Sequence, residues 1–108
     1  MNNSNFLQFL LLFFSMNIQS EDLKIGQKIF VSNCNVCHMN GNNIIIPEKN
    51  LKKEALETNG MYNLEAIIYQ ITNGKNGMPA FGGRLTETEI ENVSNYILEE
   101  TNTNFKKN

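Results

Sequence analysis

The chain has 108 residues, room for one small domain. Nine basic and eleven acidic residues give a net charge of −2 and a pI near 5.3, which argues against nucleic acid or an anionic membrane as the main partner. Two cysteines and one histidine can neither staple a disulfide scaffold nor complete a four-ligand zinc site within one chain.

Nothing in residues 1–20 is charged, and Phe6 to Phe14 form an apolar run broken only by Gln8. That run is about half of the roughly 20 apolar residues a membrane span needs, and it fits the apolar core of a secretory signal. Residues 1–20 are therefore expected to be a signal peptide, removed near Ser20, with no membrane insertion after cleavage. Residues 21–100 form the expected domain. Its first helix is predicted from Asp22 to Asn33, capped by Asp22, with Leu23, Gly26, Ile29 and Phe30 on one face.

Next comes Cys34-Asn35-Val36-Cys37-His38, C-x-x-C-H, the attachment signature of c-type haem. Two thiols at this spacing reach the two vinyl groups on one edge of a porphyrin, and the following imidazole turns beneath the ring to bind iron. A thioredoxin-like C-x-x-C would need a βαβ context, which the sequence does not offer, and gives no reason for His38. The same residues could also supply half of a zinc site shared between two chains, or a plain disulfide.

An irregular Asn-rich stretch, Asn40 to Ile46, ends in Ile44-Ile45-Ile46. The second helix is predicted from about Glu48 to Thr58, after Pro47, with Leu51, Ala55 and Leu56 inward. Asn63 caps a third helix to Asn73, whose stripe is Leu64, Ile67, Ile68 and Ile71 and whose stop is Gly74. A loop with four glycines and a proline fills Gly74 to Gly83. Thr86-Glu87-Thr88-Glu89 reads as a capping box opening the fourth helix, which runs to about Glu99 with Ile90, Val93, Tyr96 and Ile97 inward. Thr101 to Asn108 reads as a polar, frayed tail. With no convincing strand, the chain is all-α, about four short helices that need a large apolar group to complete their core.

His38 is the only histidine, so two histidines of one chain cannot share the iron. The second axial ligand is then Met, Lys, a chain terminus, water or nothing. Met1 and Met16 fall in the leader, and Met39 adjoins His38 and cannot reach the opposite face. Met61 can reach it. Met78 is favoured, because glycines around it let the backbone approach a flat ring and Pro79 holds it extended. A soft neutral thioether favours ferrous iron and raises the reduction potential, and two filled axial positions leave no site for oxygen or peroxide. That combination points to a one-electron carrier and not an enzyme.

From Asp22 to Ile97 the chain resembles the cytochrome c6 family of algal plastids and cyanobacteria. The resemblance rests on D-L-K-I-G-Q-K-I-F (22–30), C-N-V-C-H (34–38), G-N-N (41–43), L-K-K-E-A-L (51–56), N-Y-I-L (95–98) and above all Y-Q-I-T-N-G-K-N-G-M-P-A-F-G-G-R-L (69–85). It implies a class I cytochrome c fold around one covalently bound haem c with its iron. It implies thioethers at Cys34 and Cys37 and axial ligation by His38 and Met78. Gln70 matches a glutamine that tunes the haem potential, Arg84 a position implicated in docking photosystem I, and Gly26 a close contact with Tyr96 between the first and last helices. Where family members often end in Trp, this chain has Phe105 and two lysines.

The resemblance further implies a soluble photosynthetic carrier between the cytochrome b6f complex and photosystem I. Its expected place is the thylakoid lumen of a plastid, or else a bacterial periplasm or cyanobacterial thylakoid lumen, and its expected state is monomeric. Glu87, Glu89, Glu91, Glu99 and Glu100 would steer transient encounters. A respiratory donor to a terminal oxidase is the alternative with the same chemistry. A haem sensor or peroxidase with an open sixth site is the alternative of another class.

Overall fold

The structure, a computed structural model, describes residues 20–106; the expected signal peptide lies, apart from Ser20, outside the described residues. Five helices follow one another: α1 Ser20–Asn33, the single turn α2 Asn35–His38, α3 Lys53–Thr58, α4 Leu64–Asn73 and α5 Glu87–Thr101. Two 3₁₀ turns, Met39–Gly41 and Pro47–Lys49, punctuate the long α2–α3 connection. There is no strand among the described residues, and none of their helices is long and apolar enough to cross a membrane.

The helix signals in the sequence translate unevenly. Asn63 accepts from the Ala66 N–H at 2.8 Å, as a cap should, and α4 stops at Gly74 with φ +73°. A side chain on Gly74 would also lie 2.6 Å from the Met78 carbonyl oxygen, so only glycine fits. The capping box closes both ways: Glu89 N–H to Thr86 Oγ1 at 3.1 Å, and Thr86 N–H to Glu89 Oε1 at 2.8 Å. Asp22, expected as a cap, lies instead inside the first described turn of α1 beside Glu21, where carboxylates face the positive end of the helix dipole. The helix expected from Glu48 begins only at Lys53. Asn50 is the cause. Its side chain donates to the Pro47 carbonyl and accepts from the Lys52 N–H, offering the backbone a turn in place of a helix.

The core forms where α5 crosses α1 and α4. Gly26 sets the first crossing: a β-carbon there would sit 2.8 Å from Tyr96 Cβ and closer still to the Asn92 carbonyl. The approach lets Phe30 meet Tyr96 at 5.5 Å between ring centroids, tilted by 55°. Ile90, Val93 and Ile97 of α5, Ile67 and Ile71 of α4, Ile29 of α1, and Cys34, Leu56, Phe81 and Phe105 complete the buried apolar set. Over residues 101–106 the expectation of a frayed tail fails. Thr101 is fully buried, and Phe105 is buried against Phe30 at 5.9 Å. Reading the segment by its polar average missed the one aromatic that anchors it.

Candidate functional site

α1 delivers the chain to a cavity of about 320 Å³, within the range of cofactor sites. Its walls are mostly apolar, with Phe30, Leu51, Leu56, Ile67, Ile71 and Phe81 among them. Cys34, Cys37, His38, Gln70 and Met78 all line this one space, together with Met61, so five of the six residues expected to form the site converge. The sixth, Arg84, does not line it. Arg84 is exposed, its guanidinium stacked 4.8 Å over the Phe81 ring and its Nη1 donating to the Ala80 carbonyl at 3.4 Å.

On the first wall, the single turn α2 is tied to α1 through Cys34. The Cys34 N–H bonds the Phe30 carbonyl, and the His38 N–H bonds the Cys34 carbonyl at 2.9 Å. Burial pushes the Cys34 thiol up from 9.0 to about 11, whereas redox-active cysteines are driven the opposite way. Cys34 and Cys37 form no disulfide. The raised thiol pKa counts against a thioredoxin-like reading of the motif. His38 Nδ1 lies 2.8 Å from the Asn42 carbonyl oxygen. A carbonyl can only accept, so Nδ1 carries the proton and Nε2 keeps its lone pair for a metal. Burial lowers the His38 pKa below its ordinary 6.5, opposed by the Asn42 hydrogen bond, so the ring is neutral and able to ligate at neutral pH.

The facing wall is the 74–85 loop. Lys75 and Met78 exchange two backbone hydrogen bonds of 3.0 Å across Asn76-Gly77. Both central residues have positive φ, +45° and +87°, which makes this a type I′ turn, for which Asn-Gly is the favoured pair. Two more bonds, Phe81 N–H to Ile71 carbonyl and Gly82 N–H to Thr72 carbonyl, pin the loop to the end of α4. Gln70 Nε2 points at the Met78 thioether, 3.9 Å from Sδ.

Sequence patterns assign no role to Asn42, Asn43 or Leu51 at this site. Asn43 Oδ1 accepts from the N–H groups of Ile45 and Ile46, and its amide donates to the Lys49 carbonyl, shaping the loop that carries Asn42. A signal was present in the adjacent Asn42-Asn43 pair, since asparagine side chains organise turns. At the mouth, Val36 is 78% exposed and Ile45 55% exposed, and both line the cavity; Ile44 beside them is 69% exposed.

This donor set fits haem c. Two sulfurs stand one helical turn apart, a neutral imidazole follows directly, a thioether faces the same space, and the walls are apolar. Comparison with known proteins agrees. The family profile described as cytochrome c oxidase, cbb3-type, subunit III matches residues 21–97. Cytochrome c6 of Bumilleriopsis filiformis is 59% identical over 80 residues, 74% of this chain and 93% of that protein. Cytochrome c6 of Petalonia fascia is 56% identical over 80 residues, covering 74% and 94%. The crystal structure of cytochrome c6 from the diatom Phaeodactylum tricornutum superposes with a TM-score of 0.74 at 48% identity, covering 76% of this chain and 97% of that one. The all-α architecture is thus that of class I cytochromes c. The chain belongs to the cytochrome c6 family: it is a c-type cytochrome with one covalently bound haem c and its iron, an electron carrier and not an enzyme.

Proposed function

We propose that this chain carries single electrons from the cytochrome b6f complex to photosystem I in the thylakoid lumen of a plastid, with His38 and Met78 as axial ligands and Cys34 and Cys37 as thioether anchors. The observation that carries the reading is the convergence of these four residues on one apolar cavity. Likeness to cytochrome c6 over nine-tenths of its relatives' length supports the partners. Haem c, when bound, supplies an iron couple that gains and loses one electron.

The chain's residues set the conditions for that couple. His38 presents Nε2 because Asn42 holds Nδ1–H. Met78 presents a soft thioether, and Gln70 donates toward its sulfur and moderates its donor strength. Apolar walls exclude water from the metal's surroundings. With His38 and Met78 both holding the iron, neither oxygen nor peroxide would find a free site on it. Partner contact falls to Val36, Ile44 and Ile45 at the mouth, a small apolar patch suited to brief encounters, with Arg84 as a docking charge. Of the five α5-side glutamates, Glu89 is committed to its capping box, leaving Glu87, Glu91, Glu99 and Glu100 to steer. The protein acts as a monomer, exported by its 1–20 leader, whose cleavage frees the cytochrome domain from residue 21 onward.

Flash-oxidised photosystem I mixed with the purified holoprotein should be re-reduced at a rate that saturates with concentration and falls as salt rises. No re-reduction would overturn the proposal. The cbb3-type oxidase description of the matching family favours a second reading, donation to a terminal oxidase. Oxygen uptake by such an oxidase, driven by this chain faster than photosystem I turnover, would decide for it.

A further inference from the structure

Residues beyond α5 reach back to the histidine wall of the cavity. The helix ends in a Schellman motif: Phe105 N–H bonds the Glu100 carbonyl and Asn104 N–H the Thr101 carbonyl, both at 2.8 Å, with Asn104 left-handed at φ +54°. Phe105 is also left-handed, at φ +60°, a costly conformation for a bulky side chain that only its surroundings can enforce. Those surroundings are Phe30 and Gly41. A β-carbon on Gly41 would lie 2.6 Å from the Phe105 ring, so ring and backbone are in direct contact.

Four further hydrogen bonds tie together residues 101–104 and the 41–62 segment. Thr101 Oγ1 donates to the Leu51 carbonyl at 2.9 Å, and the Leu51 N–H bonds the Gly41 carbonyl at 2.7 Å. The Lys53 N–H donates to Asn104 Oδ1 at 2.9 Å, 51 residues away in sequence. α3 has no capping side chain of its own at Lys52, so Asn104 caps it from outside. Tyr62 donates its hydroxyl proton to Asn102 Oδ1 at 2.7 Å. Gly41 immediately precedes Asn42, whose carbonyl orients His38, and Leu51 is a cavity wall.

We propose that residues 101–105 form a clasp, and that Asn104 and Phe105 are positioning residues for His38: Phe105 acts directly on Gly41, Asn104 through Lys53 and the nearby Leu51–Gly41 hydrogen bond, and both reach His38 by way of Asn42. The proposal rests on His38 being an iron ligand. It is tested in the holoprotein by NMR, following exchange of the His38 Nδ1 proton with solvent well below each variant's Tm. Asn104→Gly keeps the left-handed backbone and removes only the acceptor; Asn104→Asp restores it. Exchange should quicken about fivefold in Asn104→Gly, the scale of one lost hydrogen bond, by more than that in Phe105→Ala, which removes a buried ring, and return to the wild-type rate in Asn104→Asp. The reduction potential should fall alongside, because a looser wall admits water and favours ferric iron.

Unchanged exchange and potential in Asn104→Gly, with only Tm lowered, would overturn the proposal and leave the clasp a purely structural end. Should Phe105→Ala fail to fold, Asn104→Gly decides. His38 ring protons that lack the large shifts of an iron-bound imidazole would instead overturn the ligand assignment on which the proposal rests.

Discussion

The two walls of the cavity are built by opposite strategies. The Met78 wall is local. Its hairpin closes over two residues, its turn type follows from Asn76-Gly77, and its anchors reach no further than α4. The His38 wall is assembled at a distance. Its loop from Met39 to Lys52 and the start of α3 at Lys53 are held by Phe105, Thr101 and Asn104, 50 to 64 residues downstream. A loop closed by short-range bonds is specified by its own few residues, whereas one pinned from afar depends on the whole fold being in place.

The comparison can be broken or sharpened experimentally. The largest effect is expected from Cys34→Ser with Cys37→Ser, which removes both anchors. The chain should be recovered without covalent haem, by mass, and with most of its helical circular dichroism lost, since helices this short do not persist without their core. Retained helicity would mean that the walls stand by themselves. Next, Met78→Ala should abolish the iron–methionine absorption band, admit carbon monoxide to the ferrous protein and lower the potential. Met61→Ala, half-buried in the same cavity, should keep the band and cost only about 1–2 kcal/mol by thermal denaturation. The reverse result would exchange the roles of the two methionines.

Gly74→Ala tests whether the methionine wall is as self-contained as its bonds suggest. The clash with the Met78 carbonyl and the positive φ should cost about 2–3 kcal/mol. The methionine band should weaken while the His38 Nδ1 exchange rate stays at the wild-type value. Coupled loss of both would show the walls to be one unit.

The smallest effect lies outside both walls, at Tyr96. Burial, and then the charge of Glu100, raise its pKa above the ordinary 10.0. The folded state therefore holds this proton longer than the unfolded chain. Its contribution to stability is complete below pH 10 and declines as pH climbs through the raised value. Tyr96→Phe should flatten that alkaline decline in denaturant titrations and leave both walls unaltered.

How much could be read in advance follows the same division. Cys34, Cys37, His38, the Asn63 cap, the Gly74 stop and the Thr86–Glu89 box are local patterns with fixed spacing, and each was legible. Met78 was legible from its Gly- and Pro-rich loop and Gln70 through the family resemblance alone; their 3.9 Å approach came from the structure. Asn50 misled, since a helical-looking run can be interrupted by a single side chain that bonds its own backbone. The bond from Leu51 to Gly41 and the contacts of residues 101–105 were not legible, for a different reason. Their partners are set by tertiary contact, and no periodicity records that Phe105 will meet Gly41.

The crossing of α1 and α5, closed by Phe105, carries a consequence for synthesis. Helix α1 leaves the ribosome well before α5, and its partner surface emerges only after both walls of the cavity. A nascent chain therefore stays open until residue 105 has been added. During that interval Cys34, buried once the domain is complete, still faces water. The step that seats Phe105 on Gly41 also completes the burial of Cys34, so chemistry at its sulfur belongs before that step.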